Sequence, residues 1–369
     1  MRSRVVIDAS PLLYGLAGGT TRYTRRLIEA ILAAPSEFEV VLFGRRMLGP
    51  PLSSLGLSAP TVHIRLPRAA EPLMRSLGLV ETLCRADLYH AADFYLPLRS
   101  PNRAVATIHD VVFLSQPEGI VDHTRLARWV PDFVRTCRRV ITISEYSKAE
   151  IVKWLHVEPE RIDVVYEAAD RETFFPEPDG ESLRARLGKL VGSDRPYFLA
   201  VSCSEGRKNT PMLLDAYSKL LRRGSRHDLV LVWDPPDELR QRFARGEREG
   251  RIHFVGRQPD TALRDLYCGA AAIVYPSLYE GFGLPVLEAL SCGAPVITSS
   301  TTSLPEAGGD AAMYIDPSDC SALIAALEAF ENGGVDVAAM REKGLRHAAN
   351  FDWERTARET LAVYARALG

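Results

Sequence analysis

No charge of either sign dominates this chain. Its 369 residues carry 45 Lys and Arg against 47 Asp and Glu, a formal net charge of −2, so nothing in the total points to a nucleic-acid partner. No C-x-x-C pair occurs among the six cysteines, Cys84, Cys137, Cys203, Cys268, Cys292 and Cys320. Scattered thiols with apolar neighbours are expected as small core hydrophobes in a reducing compartment, and no metal cluster emerges from them. No uninterrupted apolar stretch approaches the length that spans a bilayer. The N-terminus, Met1-Arg-Ser-Arg-Val-Val-Ile-Asp8, runs directly into a strand and leaves no room for a signal peptide, so a cytoplasmic protein is expected. The glycines after that strand, Gly15, Gly18 and Gly19, do not form G-x-G-x-x-G, which makes dinucleotide binding a poor reading. Internal repeats and low-complexity stretches are missing too.

What is present is an alternation of short apolar runs with helical patterns, the mark of a parallel sheet covered by helices. Strands are predicted at Val5–Asp8, Glu39–Phe43, Ala104–His109, Val140–Ile143 and Ile162–Tyr166, with a helix over Arg22–Ala33. Residues 168–196 are polar and broken by Pro176, Pro178, Gly188 and Gly192, as an interdomain connection followed by a short helix would be. A second series of strands follows at Tyr197–Ser202, Leu229–Trp233, Ile252–Val255, Ala272–Tyr275 and Val296–Thr298. The expected fold class is α/β, with two Rossmann-like domains, residues 1–175 and 176–351, facing a cleft. Ligands in open α/β sheets bind beyond the carboxyl ends of strands, which directs attention to loops 9–20, 109–116, 202–209 and 276–285.

Residues 276–297 say the most. An apolar strand enters a turn carrying Glu280, Gly281, Gly283 and Pro285; a short helix is predicted from near Val286 to Gly293, and a second strand follows. Glycines between a strand and a helix N-terminus let backbone N–H groups approach an anion, and the helix dipole favours negative charge there. Glu280 and Glu288 bracket that cradle. Carboxylates repel a bare phosphate but accept hydrogen bonds from sugar hydroxyls, so the arrangement suits phosphates flanked by hydroxyl-rich groups. A nucleotide-sugar has that layout.

The two glutamates stand as E-x7-E inside E-G-F-G-L-P-V-L-E-A-L-S-C-G-A-P-V-I, and this run resembles the signature of family 4 retaining glycosyltransferases of the GT-B fold. The resemblance is weak over 44–85 and strong from about 197 to 317, where Phe254-Val-Gly256-Arg-Gln-Pro-Asp and Ser303-Leu-Pro-Glu-Ala also match the family's pattern. It implies a donor set of Gly18, Gly19, Gly256, Gly281, Phe282, Gly283, Leu284 and Glu288. Glu280 would hold sugar hydroxyls, Glu288 the ribose, and the 281–284 amides the pyrophosphate and sugar. It also implies that the helix at 352–369 packs back on the first domain, that the first domain takes the acceptor and the second the donor, and that transfer retains configuration. No cofactor is implied.

Val201-Ser-Cys-Ser-Glu-Gly-Arg-Lys-Asn places Arg207 and Lys208 at a strand's carboxyl end, a fork and a point charge that can clamp phosphate. Their family counterparts hold the donor diphosphate and stabilise it as leaving group. Ser202 stands where the family usually has a glycine, which puts the path of this loop in question. Thr107-Ile-His109-Asp110 ends another strand; a neutral imidazole there can donate to a donor-sugar hydroxyl or accept from the acceptor, and the family's histidine at this place lies by the reacting sugar. Asp110 is expected to orient the loop. His90, in Leu88-Tyr-His-Ala-Ala-Asp, ends another predicted strand and is weighed as a border of the acceptor pocket, and Arg22 as a contact to an acceptor phosphate or a surface ion pair. No Asp-x-Asp occurs, so the divalent-metal diphosphate site of the other glycosyltransferase architecture is absent and metal-independent transfer is expected.

The look of the motifs is closest to bacterial O-antigen mannosyltransferases, which makes GDP-mannose the first-choice donor, with UDP- and dTDP-sugars open. The acceptor would be a glycan or lipid-linked glycan of cell-surface polysaccharide. Segment 44–85 carries Arg45, Arg46, Arg65, Arg68, Arg75 and Arg85 against Glu71 and Glu81, with Leu73, Met74, Leu77 and Leu79 as lipid-contact candidates. Peripheral contact with the inner membrane face is the expectation this raises, against a packed helix with a solvated charged face. Two rivals stay open: a nucleotide-sugar 2-epimerase of the same fold, and a non-catalytic nucleotide-sugar-binding scaffold.

Overall fold

Continuous runs of Val, Ile, Leu and Ala, too apolar to leave either face in water, form the middle strands of two parallel sheets. The computed structural model describes residues 2–14, 19–116, 123–178, 180–204 and 206–369. The first sheet contains β1 (Arg4–Asp8), β2 (Glu39–Arg45), β3 (Thr61–Ile64), β4 (Leu88–Ala91), β5 (Ala104–Ile108), β6 (Arg139–Thr142) and β7 (Ile162–Val164), in the order β3-β2-β1-β4-β5-β6-β7. The second contains β8 (Tyr197–Ala200), β9 (Asp228–Leu231), β10 (Ile252–Phe254), β11 (Ala272–Tyr275), β12 (Val296–Ser299) and β13 (Ala312–Ile315), in the order β10-β9-β8-β11-β12-β13.

Two of these strands were not predicted. Thr61–Ile64 and Ala312–Ile315 lie at sheet edges and each buries only its last residue, so neither shows the continuous apolar run that marks a central strand. The register is one-to-one and parallel throughout, for instance Val6 opposite Val41 and Tyr89, and Val274 opposite Ile297.

The chain divides into two compact units, residues 1–167 with 353–369, and residues 168–352. Residues 168–175, expected in the first unit, cluster with the second. Their neighbour Glu177 pairs with Arg186 at 2.6 Å and Arg264 at 2.6 Å, and Arg264 lies over the Phe175 ring at 4.5 Å. The final helix, Trp353–Leu368, is tied into the first unit. Thr356 Oγ1 donates to the Tyr166 carbonyl at 2.7 Å, and the Tyr364 hydroxyl meets His90 Nδ1 at 2.6 Å.

Candidate active site

The second sheet changes direction between β8 and β11, and crevices beyond the carboxyl ends of strands at such a switch point are where α/β sheets take ligands. The loop after β8 carries Arg207 and Lys208; the loop after β11 carries Glu280. Lys208 Nζ lies 2.6 Å from Glu280 Oε1 and 2.5 Å from the Tyr275 hydroxyl, over whose ring it sits at 5.0 Å. Arg207 Nη1 donates to Glu280 Oε2 at 3.2 Å. The Tyr275 hydroxyl and Ser277 Oγ stand 2.8 Å and 2.6 Å from Oε1. Burial would raise the Glu280 pKa, but the charges of Lys208 and Arg207, with hydrogen bonds from Lys208 and Ser277, outweigh it and hold the carboxyl below its ordinary range. Burial, then Glu280 itself, pushes the Tyr275 phenol well above its ordinary value, so it stays a neutral donor. Two cations against one carboxylate leave this cluster with a net charge of +1. Arg207 and Lys208 are therefore not a bare clamp: they are held in position by the glutamate expected to serve the sugar.

The loops are fastened to each other. The Arg207 carbonyl accepts from the Leu278 N–H at 2.7 Å, and Asn209 Nδ2 donates to the carbonyls of Pro276 at 3.1 Å and Pro317 at 2.7 Å. Ser303 Oγ lies 2.9 Å from the carbonyls of both Glu280 and Phe282. Ser202 sits at φ 52°, in the left-handed region that glycine adopts readily, so the loop takes a glycine-like path despite the serine. Gly283 has φ 122°, and a Cβ there would come within 2.9 Å of Leu304 Cδ2. The helix that follows, Leu284–Ser291, begins at Leu284 rather than Val286, because Pro285 is accommodated in a first turn that has no use for its N–H.

Other residues of the implied donor set are less alike than their grouping suggested. Glu288 is buried on that helix, and its Oε2 accepts from the Tyr267 hydroxyl at 3.1 Å. Phe282 is buried with its ring centroid 5.7 Å from that of Phe351, so its side chain belongs to the core and only its backbone can serve a ligand. Gly256 has φ 65°, and a Cβ there would stand 3.3 Å from both carboxylate oxygens of Asp234. Gly19 opens the helix Gly19–Ala33 beside open space, while Gly18 lies outside the described residues.

In the first unit, His109 follows β5 and is nearly buried, with the Tyr23 ring edge-on at 4.7 Å. Its Nε2 lies 3.3 Å from the Ala92 carbonyl. Burial lowers its pKa to about 4, partly offset by that carbonyl, so the ring is neutral near pH 7. A carbonyl only accepts, which assigns the proton to Nε2 and leaves Nδ1 an acceptor. His109 is thus suited to receive a hydrogen bond from a hydroxyl, not to give one.

His90 is not a pocket residue. It is fully buried in β4, with Nδ1 at 2.6 Å from the Tyr364 hydroxyl and Nε2 at 2.8 Å from Thr107 Oγ1. Burial, with the neighbouring His109 charge, lowers its pKa to about 3. Nδ1 holds the last helix to the sheet, and Nε2 ties β4 to its neighbour β5.

Comparison with known proteins assigns the chain. Residues 195–332 match the model of "Glycosyl transferases group 1", and residues 17–173 match "Glycosyltransferase Family 4". The chain is 33% identical to the O-antigen chain mannosyltransferase B of Escherichia coli, over 98% of this chain and 99% of that one. The chain belongs to the family 4 glycosyltransferases.

Solved structures agree on the GT-B fold of this glycosyltransferase. A Rickettsia africae glycosyltransferase superposes with a TM-score of 0.76 at 17% identity, covering 100% of this chain and 99% of that one. WaaG, a glycosyltransferase involved in lipopolysaccharide biosynthesis, gives 0.73 at 18%, covering 97% and 99%. At such identities the likeness speaks for the fold alone.

The glycosyltransferase corrects three readings of segment 44–85. Met74 is in the core and cannot touch lipid, and Leu79 is half-buried against that core, which leaves little of it for lipid. Arg45 is buried and paired with Glu71 at 2.8 Å, so it adds nothing to a basic surface. Glu71 also accepts from Arg125 at 2.9 Å and from the Tyr95 hydroxyl at 2.7 Å. Sequence reasoning also missed Tyr275 and Ser277, the partners that fix Glu280. Their signal was there to see: polar side chains spaced two apart at the exit of an apolar strand.

Proposed function

We propose that this glycosyltransferase moves mannose from GDP-mannose to a hydroxyl of a growing, lipid-linked surface glycan, with retention and without a metal. The observation that carries donor binding is the Arg207–Lys208–Glu280 cluster at the switch point of the second sheet, whose net positive charge can draw in a diphosphate. Glu280 Oε1 already has three donors, so a sugar hydroxyl reaches the Oε2 side. Glu288 takes the ribose, and the 281–284 backbone the pyrophosphate. A carboxylate anchored on Lys208 and Tyr275 is poorly aimed as a nucleophile at the anomeric carbon. Same-face attack fits better, with the departing phosphate oxygen taking the acceptor's proton.

Mannose and a polysaccharide acceptor are carried over from the Escherichia coli relative, whose name states an O-antigen chain mannosyltransferase; the 28% identical RfbU of Salmonella typhimurium, matched over 58% of this chain and 56% of its own, bears a similar name. The first unit would take the acceptor at the inner membrane face. Exposed Met47, Leu48, Leu73, Leu77 and Leu83, among exposed Arg65, Arg68 and Arg85, support that location. No helix among the described residues is long and apolar enough to cross a membrane.

A thermal-shift panel of GDP, UDP and dTDP tests the donor, since a ligand that binds only the native state raises its apparent stability. GDP should give the largest rise; a response to UDP alone removes GDP-mannose. Incubation with donor alone, followed by NMR, should show no isomerised sugar, whereas isomerisation would favour the epimerase reading.

A further inference from the structure

The first sheet has a switch point of its own, between β1 and β4, and its charged groups are left unsettled. Asp8 ends β1 and is buried; its Oδ1 takes the Ser10 N–H at 2.9 Å and the Ser10 hydroxyl at 2.5 Å, while Oδ2 has no hydrogen-bond partner among the described residues. Asp93, half-buried just after β4, has no side-chain hydrogen bond among the described residues; burial, then the neighbouring Asp8 charge, raises its pKa to about 7, against the opposing charges of Arg68 and Arg125. The next residue, Phe94, is held at φ 61°, with its N–H on the Thr107 carbonyl at 3.1 Å, which fixes the turn that presents Asp93.

Behind them, at the end of β2, lies Arg45. Its side chain is 6% exposed, and one nitrogen pairs with Glu71, but Nε and Nη1 are buried without a partner among the described residues. A buried guanidinium with two donors unanswered is costly, and native proteins keep such a group where something else supplies the acceptor.

Open carboxylate lone pairs on one side and unanswered N–H donors on the other are the complement of hydroxyl groups, each of which both gives and accepts a hydrogen bond. Two carboxyl groups line the place and the arginine charges of Arg45, Arg68 and Arg125 are already set against them, which favours a neutral ligand over an anion. We propose that Asp8, Asp93 and Arg45 form a subsite for a neutral saccharide: the carboxyl groups accept hydrogen bonds from its vicinal hydroxyls and Arg45 donates to its oxygens. This deepens the reading of the first unit as the acceptor half, and rests on it in naming the saccharide as the acceptor's end sugar. It also assigns acceptor recognition to hydroxyls and not to the phosphate contact that Arg22 suggested.

The test uses the full-length protein and saturation-transfer NMR with methyl glycosides of neutral hexoses and N-acetylhexosamines, and inorganic phosphate as a competitor. At least one glycoside should bind, and phosphate should not displace it. Asp93→Asn, half-buried and nearly isosteric, should weaken that binding about tenfold and raise the acceptor KM by a similar factor, with kcat and the thermal response to GDP unchanged. Arg45→Lys should act in the same direction if it folds; Asp93→Asn decides the matter if it does not. No glycoside signal, displacement by phosphate, or an Asp93→Asn protein that binds as tightly as the wild type would overturn the proposal. Glycoside binding through Asp93 in a protein that transfers no sugar from any donor would sink the transferase reading of the first unit and leave the subsite standing.

Discussion

The two switch points of this glycosyltransferase carry similar side chains in opposite conditions. In the second unit, Glu280 is gripped by Lys208, Arg207, Tyr275 and Ser277, and the surrounding loops bond to one another. In the first, Asp8, Asp93 and Arg45 leave lone pairs and N–H groups unanswered among the described residues. A site that must stabilise charge developing on a leaving diphosphate gains from dipoles and charges fixed in advance. A site that must read hydroxyls keeps its partners open until the hydroxyls arrive. The same contrast recurs in the two histidines: among the described residues His90 engages both nitrogens and His109 only one.

The contrast is broken most directly at Glu280. Glu280→Gln keeps an acceptor for Tyr275 and Ser277 but removes the charge that positions Lys208 and Arg207. Turnover should fall about a thousandfold, in the range seen when a fixed electrostatic contact is removed, with GDP affinity within a few-fold. Steady-state kinetics with GDP titration by calorimetry would measure both. A fully active Glu280→Gln protein would show that the pinning is structural only.

Next comes the histidine pair. His109→Phe should lower kcat/KM about a hundredfold with stability nearly unchanged. His90→Phe should do the reverse: it strands the Tyr364 hydroxyl in the core and leaves the Thr107 hydroxyl only the long contact to Tyr23 at 3.4 Å, costs about 1–3 kcal/mol in denaturant unfolding, and leaves turnover of the folded protein within threefold. If His90→Phe lost activity without losing stability, the division between the two would be wrong.

Both histidines also predict an acid limb. Their folded pKa values, about 3 for His90 and about 4 for His109, lie below the unfolded value near 6.5. Between the two values the unfolded chain binds the extra proton, so each histidine makes stability fall as pH drops below about 6.5, with a limiting slope of about 1 kcal/mol per pH unit. Asp8 and Asp93, both raised by burial and Asp93 to about 7, hold their protons in the fold and offset part of that fall over the same window. Glu280, whose pKa is lowered, adds stability above the ordinary carboxylate range that is lost only as pH falls through its folded value, further down. Urea unfolding from pH 4.5 to 7 should show the histidine in the difference: stability of His90→Phe should fall less steeply with acid than that of the wild type, by about 1 kcal/mol per pH unit. A slope indifferent to that substitution would mean that His90 is not neutral in the fold.

The sequence made the second unit far more legible than the first, for physical reasons. Glu280, Gly283 and Glu288 sit in one stretch of chain whose turn and helix form locally, so their spacing reads directly. Arg207 and Lys208 were visible because they lie in the short connection between an apolar strand and the helix that follows it. The Arg45–Glu71–Arg125–Tyr95 network joins positions far apart in the chain that only the tertiary fold brings together, and a pattern that looked like a basic surface was partly a buried ion pair. His90 was misread because a strand end and a strand interior look alike when all four residues of a strand are buried. The edge strands Thr61–Ile64 and Ala312–Ile315 escaped because solvent on one side removes the apolar run.

The smallest expected effect tests whether the pinned cations are sufficient. Lys208 and Arg207 together exceed Glu280 by one positive charge, at the strand ends where the leaving diphosphate would lie. A divalent ion would supply the same neutralisation by a different route, through paired acidic ligands of the Asp-x-Asp kind that this chain does not contain. Dialysis against EDTA should therefore change the transfer rate by less than about twofold, while Lys208→Met should lower it by a factor of order a hundred or more. A tenfold loss on chelation, restored by Mg²⁺ or Mn²⁺, would show that the pair cannot carry the leaving group alone. The second switch point would then share the open condition of the first, and the contrast between a charge cluster fixed in advance and one waiting for its ligand would no longer separate the two units.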